Sequence, residues 1–193
     1  GYIPQINSYV NSIADELKAV ALNIHANPEL GNTEEKASGR LCELLNNHGF
    51  VVEKPYMGIP TAFRAVYDTG VPGPVLAMLC EYDALPEIGH GCGHNLIAMV
   101  GAGSGIAIKK FLPRGALHVI GTPAEETEGA KVIMADKGAF AGYDAVMMAH
   151  PHAESFDSYN SNALIARYIE FFGKTSHAAA SPEEGVNALD AMI

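Results

Sequence analysis

Cys92 and His94, separated by a single glycine, are followed further along the chain by the adjacent acids Glu125 and Glu126 and then by His150. A thiolate, two imidazoles and a carboxylate are the donors that zinc or manganese recruits, and a second carboxylate beside them can act as general base. A free cysteine is more often a small buried hydrophobe, but a glycine on each side of Cys92 and a histidine two residues later suit a tight ligand loop. A Cys92 nucleophile with His94 as its base is a rival reading, and it leaves Glu125, Glu126 and His150 unemployed. Taken alone, Glu125 and Glu126 would be acids favoured by a helix start after Thr122-Pro123. His152 is an alternative to His150 as a ligand. Asp83 either orients a ligand imidazole or closes an Asx-type turn before Leu85-Pro86.

The elements that must carry these residues follow from apolar spacing. Ile6, Val10, Ile13, Leu17, Val20, Ala21 and Ile24 predict a helix over 6–24, and Thr33-Glu34-Glu35-Lys36 opens a second one running toward His48-Gly49. Short β-rich runs at 51–54, 61–67, 75–80, 116–121 and 144–148 alternate with helical patterns at 95–111 and 128–137, which predicts an α/β fold. In such sheets reactive groups gather outside the carboxyl ends of the strands. Asp83 follows the run ending at Cys80, Glu125 and Glu126 follow the run ending at Gly121, and His150 closes the last run, so the candidates should converge. Beyond His150, a strand-like run at 162–172 and a helix start at Ser181-Pro182-Glu183-Glu184 mark a second domain. The expected division is 1–160 and 161–193.

The chain has 193 residues, 48% of them hydrophobic and 18% charged, a balance that supports a folded core and excludes a disordered polymer. Its formal charge of -10 repels phosphate backbones, so neither nucleic acid nor an anionic membrane is an expected partner. Its longest apolar runs fall far short of the ~20 residues that cross a bilayer, and no signal-like segment opens the chain, so the expected location is cytoplasmic. Three cysteines in different contexts make no disulfide framework. Cys42, His48, Cys80 and His118 have no constellation around them and are read as packing or surface residues.

Glu81-Tyr82-Asp83-Ala84-Leu85-Pro86, Gly91-Cys92-Gly93-His94-Asn95 and Gly121-Thr122-Pro123-Ala124-Glu125-Glu126 occur in that order, preceded by His25-Ala26-Asn27-Pro28-Glu29-Leu30-Gly31. With these motifs the chain resembles the metallo-aminoacylase and carboxypeptidase superfamily. Within it, the similarity is to the amidohydrolase branch of aminobenzoyl-glutamate hydrolases, indole-acetyl-amino-acid hydrolases and dipeptidases acting on β-alanyl and basic dipeptides. The resemblance implies a mixed sheet flanked by helices, the di-metal exopeptidase-like catalytic domain, followed by the start of a smaller α+β lid or dimerisation domain. It implies two divalent ions, zinc or manganese, with Cys92, His94, Glu126 and His150 as ligands. Glu125 would be the general base, Asp83 an orienting carboxylate, and His177 a substrate- or oxyanion-binding group that in several members reaches the partner subunit.

The implied activity is hydrolysis of an amide in an N-acyl amino acid or dipeptide by a metal-activated water, in a homodimer joined through the smaller domain. The alternative is a catalytically incomplete relative that binds small amides or peptides or serves as a dimerisation module. One departure stands out: the wider superfamily often has a histidine ligand two residues before Asp83, where this chain has Glu81. Cys92 compensates in this branch, which leaves Glu81 unassigned. The chain starts with Gly1 and stops at Ile193 inside an apolar helical pattern, so it reads as a fragment; the resemblance implies a further ligand histidine from a carboxyl-terminal segment, and the polypeptide alone is expected to be weakly active or inactive.

Overall fold

The computed structural model describes residues 2–155, 165 and 167–193. In chain order the elements are helices α1 (Ile3–Ser12), α2 (Ala14–Ala26) and α3 (Glu35–Asn47), strands β1 (Val51–Glu53), β2 (Phe63–Asp68) and β3 (Val75–Cys80), helix α4 (His94–Phe111), strand β4 (Ala116–Gly121), helix α5 (Ala130–Asp136) and strand β5 (Ala145–Met147). The strands form one mixed sheet in the order β1-β2-β4-β3-β5. The β3 strand runs parallel to both β4 and β5, while β2 is antiparallel to β4 and β1 to β2.

Burial on both faces explains why the central strands are apolar at nearly every position, His118 of β4 excepted. Met78 and Cys80 of β3 and Leu117 and Val119 of β4 join the core under α2, α3 and α4. Ala77, Leu79 and Ile120 point the other way, into a smaller cluster with Ala130 and Met134 of α5. The period of two thus sorts one strand's side chains between two cores. Helix α3 presents Ala37, Leu41, Leu44 and Leu45 at helical spacing, and Leu41 and Leu45 are fully buried. Truncating either to alanine costs about 2–5 kcal/mol.

The helix expected over 6–24 is divided between α1 and α2. Ser12 Oγ donates to the Tyr9 carbonyl at 2.6 Å and Ile13 N–H closes a tighter turn onto Val10, so the carbonyl ladder is interrupted where the serine competes for it.

The chain forms two units, Gly1–Ala153 and Glu154–Ile193. In the second, Lys174 and Val186 exchange two backbone hydrogen bonds of 2.9 Å, and short 3₁₀ turns span Pro182–Glu184 and Ala188–Ala191. The run 162–172 lies partly outside the described residues. Its described part, Ile165 and 167–172, forms no strand, since no described strand supplies it with ladder partners. Among the described residues, no helix is long and apolar enough to cross a membrane.

Candidate metal centre

Because β3, β4 and β5 are parallel, their carboxyl ends open on one edge of the sheet. The β3 strand delivers Glu81 and Asp83 there, β4 delivers the turn from Thr122 to Glu126, and β5 leads to His150. After Asp83 the chain turns back through mutual Leu85–Gly89 backbone bonds. It then enters α4 at Gly93, whose φ of 78° is left-handed and whose hydrogen faces Pro151 so closely that a Cβ would lie 3.0 Å from Pro151 Cγ. His94 is therefore the first residue of α4, aimed back at the strand end it follows.

His94 is buried, and its Nδ1 meets two acceptors of Asp83, the carbonyl oxygen at 2.9 Å and Oδ1 at 3.0 Å. Two acceptors require Nδ1 to carry the proton, which leaves the Nε2 lone pair free in the neutral ring. Nε2 is buried without a hydrogen-bond partner, and three more acceptors surround it: Glu81 Oε2 at 3.5 Å, Glu126 Oε1 at 3.7 Å and Glu125 Oε2 at 3.8 Å. Acceptors converging on a lone pair are satisfied only by a cation, either a proton or a metal ion.

The donors resolve into two overlapping groups whose ligand atoms all lie within 4.8 Å of one another, Cys92-His94-Glu126 and Glu81-His94-His150. His94 belongs to both. The donor chemistry of soft thiolate, imidazole and carboxylate fits divalent zinc or manganese. His150, rather than His152, takes part, with its ring 6.0 Å from that of His94 and nearly perpendicular to it. His150 also lines an apolar groove of about 750 Å³ with Val10, Leu96, Met99 and Val100, and no other candidate ligand lines it.

Asp83 does not close the turn after it. Its Oδ2 accepts the Glu126 N–H at 2.9 Å while Oδ1 holds His94, so one carboxylate registers α4 against the acidic turn. Burial pushes the Asp83 carboxyl upward, but the His94 hydrogen bond, the Glu126 N–H and the His94 charge outweigh it and hold it below the usual range. For His94, burial acts downward and the Asp83 bond and surrounding carboxylates act more strongly upward, so the imidazolium is favoured above its ordinary range. Burial and the neighbouring Glu81 raise Glu125. Cys92 is pushed up to about 11, first by its hydrogen bond to Glu126 and then by burial.

Glu81 has no role in the sequence reading, yet its carboxylate is buried in the floor of the centre. Its Oε1 accepts from Lys131 Nζ of α5, and its Oε2 faces His94 without a hydrogen-bond partner. His177 lies in the second unit, exposed, where its Nδ1 accepts the backbone N–H groups of Ala179 at 3.2 Å and Ala180 at 3.1 Å. In the neutral ring that leaves the proton on Nε2.

No protein-family model matches the chain. It is 40% identical over 198 residues to the Xaa-Arg dipeptidase of Mus musculus, a match covering 95% of this chain and 46% of that protein. It is 35% identical over 196 residues to one subunit of the p-aminobenzoyl-glutamate hydrolase of Escherichia coli K12, covering 90% of this chain and 40% of the relative. The chain thus spans about half the length of the curated relatives it matches. Its fold is shared with a dinuclear metal-binding peptidase of the M20 family from Bacillus subtilis, at a TM-score of 0.63 and 22% identity over 70% of this chain and 42% of that one. From these sequence matches and the shared mixed-sheet fold, the chain belongs to the metallo-aminoacylase and carboxypeptidase superfamily, in the amidohydrolase branch with the Xaa-Arg dipeptidase and the aminobenzoyl-glutamate hydrolases.

Proposed function

We propose that this chain carries the metal-binding and proton-transfer groups of an amide hydrolase acting on N-acyl amino acids or dipeptides. The observation that carries the reading is the His94 Nε2 lone pair, buried and facing three carboxylates. Cys92, His94, Glu126 and His150 would hold two divalent ions, zinc or manganese, and Glu81 stands close enough to His94 and His150 to join them. Bound there, such ions supply Lewis acidity and lower the pKa of a coordinated water.

The chain's own residues do the rest. Glu125 lies beside the donors without belonging to either group, and burial favours its protonated form more than in a free glutamate, which suits a group that must take a proton and return it. It removes a proton from the attacking water as the water oxygen bonds to the amide carbon. It then hands that proton to the amine nitrogen as the C–N bond breaks, so acid and amine leave with the atoms of one water added. Asp83 fixes the tautomer of His94 and the position of Glu126. His177 would contact substrate or the developing oxyanion, from the same protomer or its partner in a homodimer. A cytoplasmic location accords with the acidic composition and the three free cysteines.

Elemental analysis of the complete parent protein beside Cys92→Ser and His150→Ala variants tests the centre. Close to two equivalents of zinc or manganese per chain, reduced in both variants, with hydrolysis of acyl amino acids or dipeptides in the parent, is the expected result. No stoichiometric metal after supplementation would sink it.

A further inference from the structure

The segment before α3 reaches beneath the acidic turn from the far end of the sequence. Glu34 is fully buried, and its Oε1 accepts the Ala124 N–H at 2.7 Å. Ala124, immediately before Glu125, has a φ of 57°, a left-handed conformation costing a non-glycine residue about 1–3 kcal/mol unless its surroundings impose it. Those surroundings are specific. The Ala124 carbonyl accepts Gly129 N–H at 2.8 Å from one side while Glu34 takes its N–H from the other. Gly31 lies so close that a Cβ there would sit 3.0 Å from Ala124 Cα and 2.4 Å from Thr127 Oγ1, and Asn32 Nδ2 donates to Glu128. The same segment also grips the other half of the centre, since the Glu29 carbonyl accepts the Ala84 N–H at 2.8 Å, next to Asp83. A buried carboxylate is a costly means of filling space, and this one accepts from the backbone N–H of the residue that precedes the two acids of the site.

We propose that Glu34 is a positioning residue: through the Ala124 N–H it fixes the left-handed turn that presents Glu125 and Glu126, and it thereby governs kcat rather than substrate affinity. This rests on the amide-hydrolase reading above. Glu34 touches no reacting atom and acts through the Ala124 N–H.

The test uses the intact, metal-loaded enzyme and three substitutions. Glu34→Met removes the acceptor, Glu34→Asp draws it back by one methylene, and Glu34→Gln keeps a carbonyl oxygen in place. Met is expected to lower kcat about 10- to 100-fold at unchanged KM, a misplacement-sized loss. It should also speed amide hydrogen exchange in the 122–128 segment, while Gln preserves both kcat and exchange. A Met variant that keeps kcat, a Gln variant as impaired as Met, or exchange unchanged in Met would each overturn the proposal. If Met does not fold, Asp carries the test, and wild-type kcat in Asp would overturn the proposal. Should the wild-type enzyme hydrolyse no amide, the functional reading fails, and exchange decides the positioning role alone: faster in Met but not in Gln supports it, any other pattern sinks it.

Discussion

The candidate centre has a floor and a rim, and the two are held by different forces. Glu81, Asp83 and His94 make the floor: their side chains are 1% exposed or less, with Asp83 hydrogen-bonded to His94 of α4 and to the Glu126 N–H, and Glu81 to Lys131 of α5. Cys92, Glu125, Glu126 and His150 make the rim, where the Glu125 side chain is 38% exposed and that of Glu126 26%. A floor residue therefore takes part in the stability of the fold as well as in the chemistry. A rim residue can be changed with little cost to the fold, so its loss should appear in turnover or metal binding alone.

The largest separation of the two is expected at Glu125. Glu125→Gln preserves shape at a partly exposed position and removes the group that moves the proton, so kcat should fall by about 10²- to 10⁴-fold. Thermal midpoint and metal content should stay at parental values. A parallel loss of Tm or metal would place Glu125 in the floor and break the comparison.

Asp83→Ala should do the reverse, lowering stability first. It leaves the buried His94 Nδ1–H with only the backbone carbonyl of residue 83 and strands the Glu126 N–H, and a buried pair that loses one partner costs about 3–5 kcal/mol. Metal affinity should fall about 10- to 100-fold through the disoriented imidazole. The pair also writes a pH signature into the chelator-treated protein. Asp83 is depressed in the folded state, so its contribution is present above the ordinary carboxyl range and is lost as pH falls through its lowered value. His94 is raised, so its contribution is complete below about 6.5, the ordinary histidine value, and is lost as pH rises through its elevated one. Urea unfolding across pH should therefore show a stability maximum between these limits. Asp83→Asn should flatten both limbs, and an unchanged profile in that variant would remove Asp83 and His94 as its source.

Much of this arrangement is legible before any coordinates. The 75–80 run is apolar without interruption, and the 116–121 run is broken only by His118, because both faces of β3 and β4 are covered, and the donors follow directly after them. Cys92, His94, Glu126 and His150 announce themselves by type, and a parallel sheet gives them one edge on which to meet. Glu34 is harder to see, sitting in a Thr-Glu-Glu-Lys helix start where two adjacent glutamates look alike. The distinguishing signal is helical phase: Glu34, Ser38, Leu41 and Leu45 share one stripe and are buried, whereas Glu35 is exposed. The break at Ser12 and the Glu81–Lys131 pair depend on a hydroxyl's choice of acceptor and on which charges meet across fifty residues, and local spacing encodes neither.

Lys131 gives the smallest expected effect and the finest test, because it bridges the two regions. Its side chain is 28% exposed at the rim while that of Glu81, whose carboxylate it neutralises, is 1% exposed in the floor. In Lys131→Met that carboxylate loses its one hydrogen-bonded cation among the described residues, and an unsatisfied buried group of this kind costs about 1–3 kcal/mol. A divalent ion held between Glu81, His94 and His150 would supply the missing positive charge from the other side. The destabilisation should therefore be clear in urea unfolding of the chelator-treated variant and shrink when zinc or manganese is restored. If the loss is equal with and without metal, Glu81 takes no share in the metal centre and belongs to the packing of α5; if metal erases it, the floor is completed by the ion as much as by the fold.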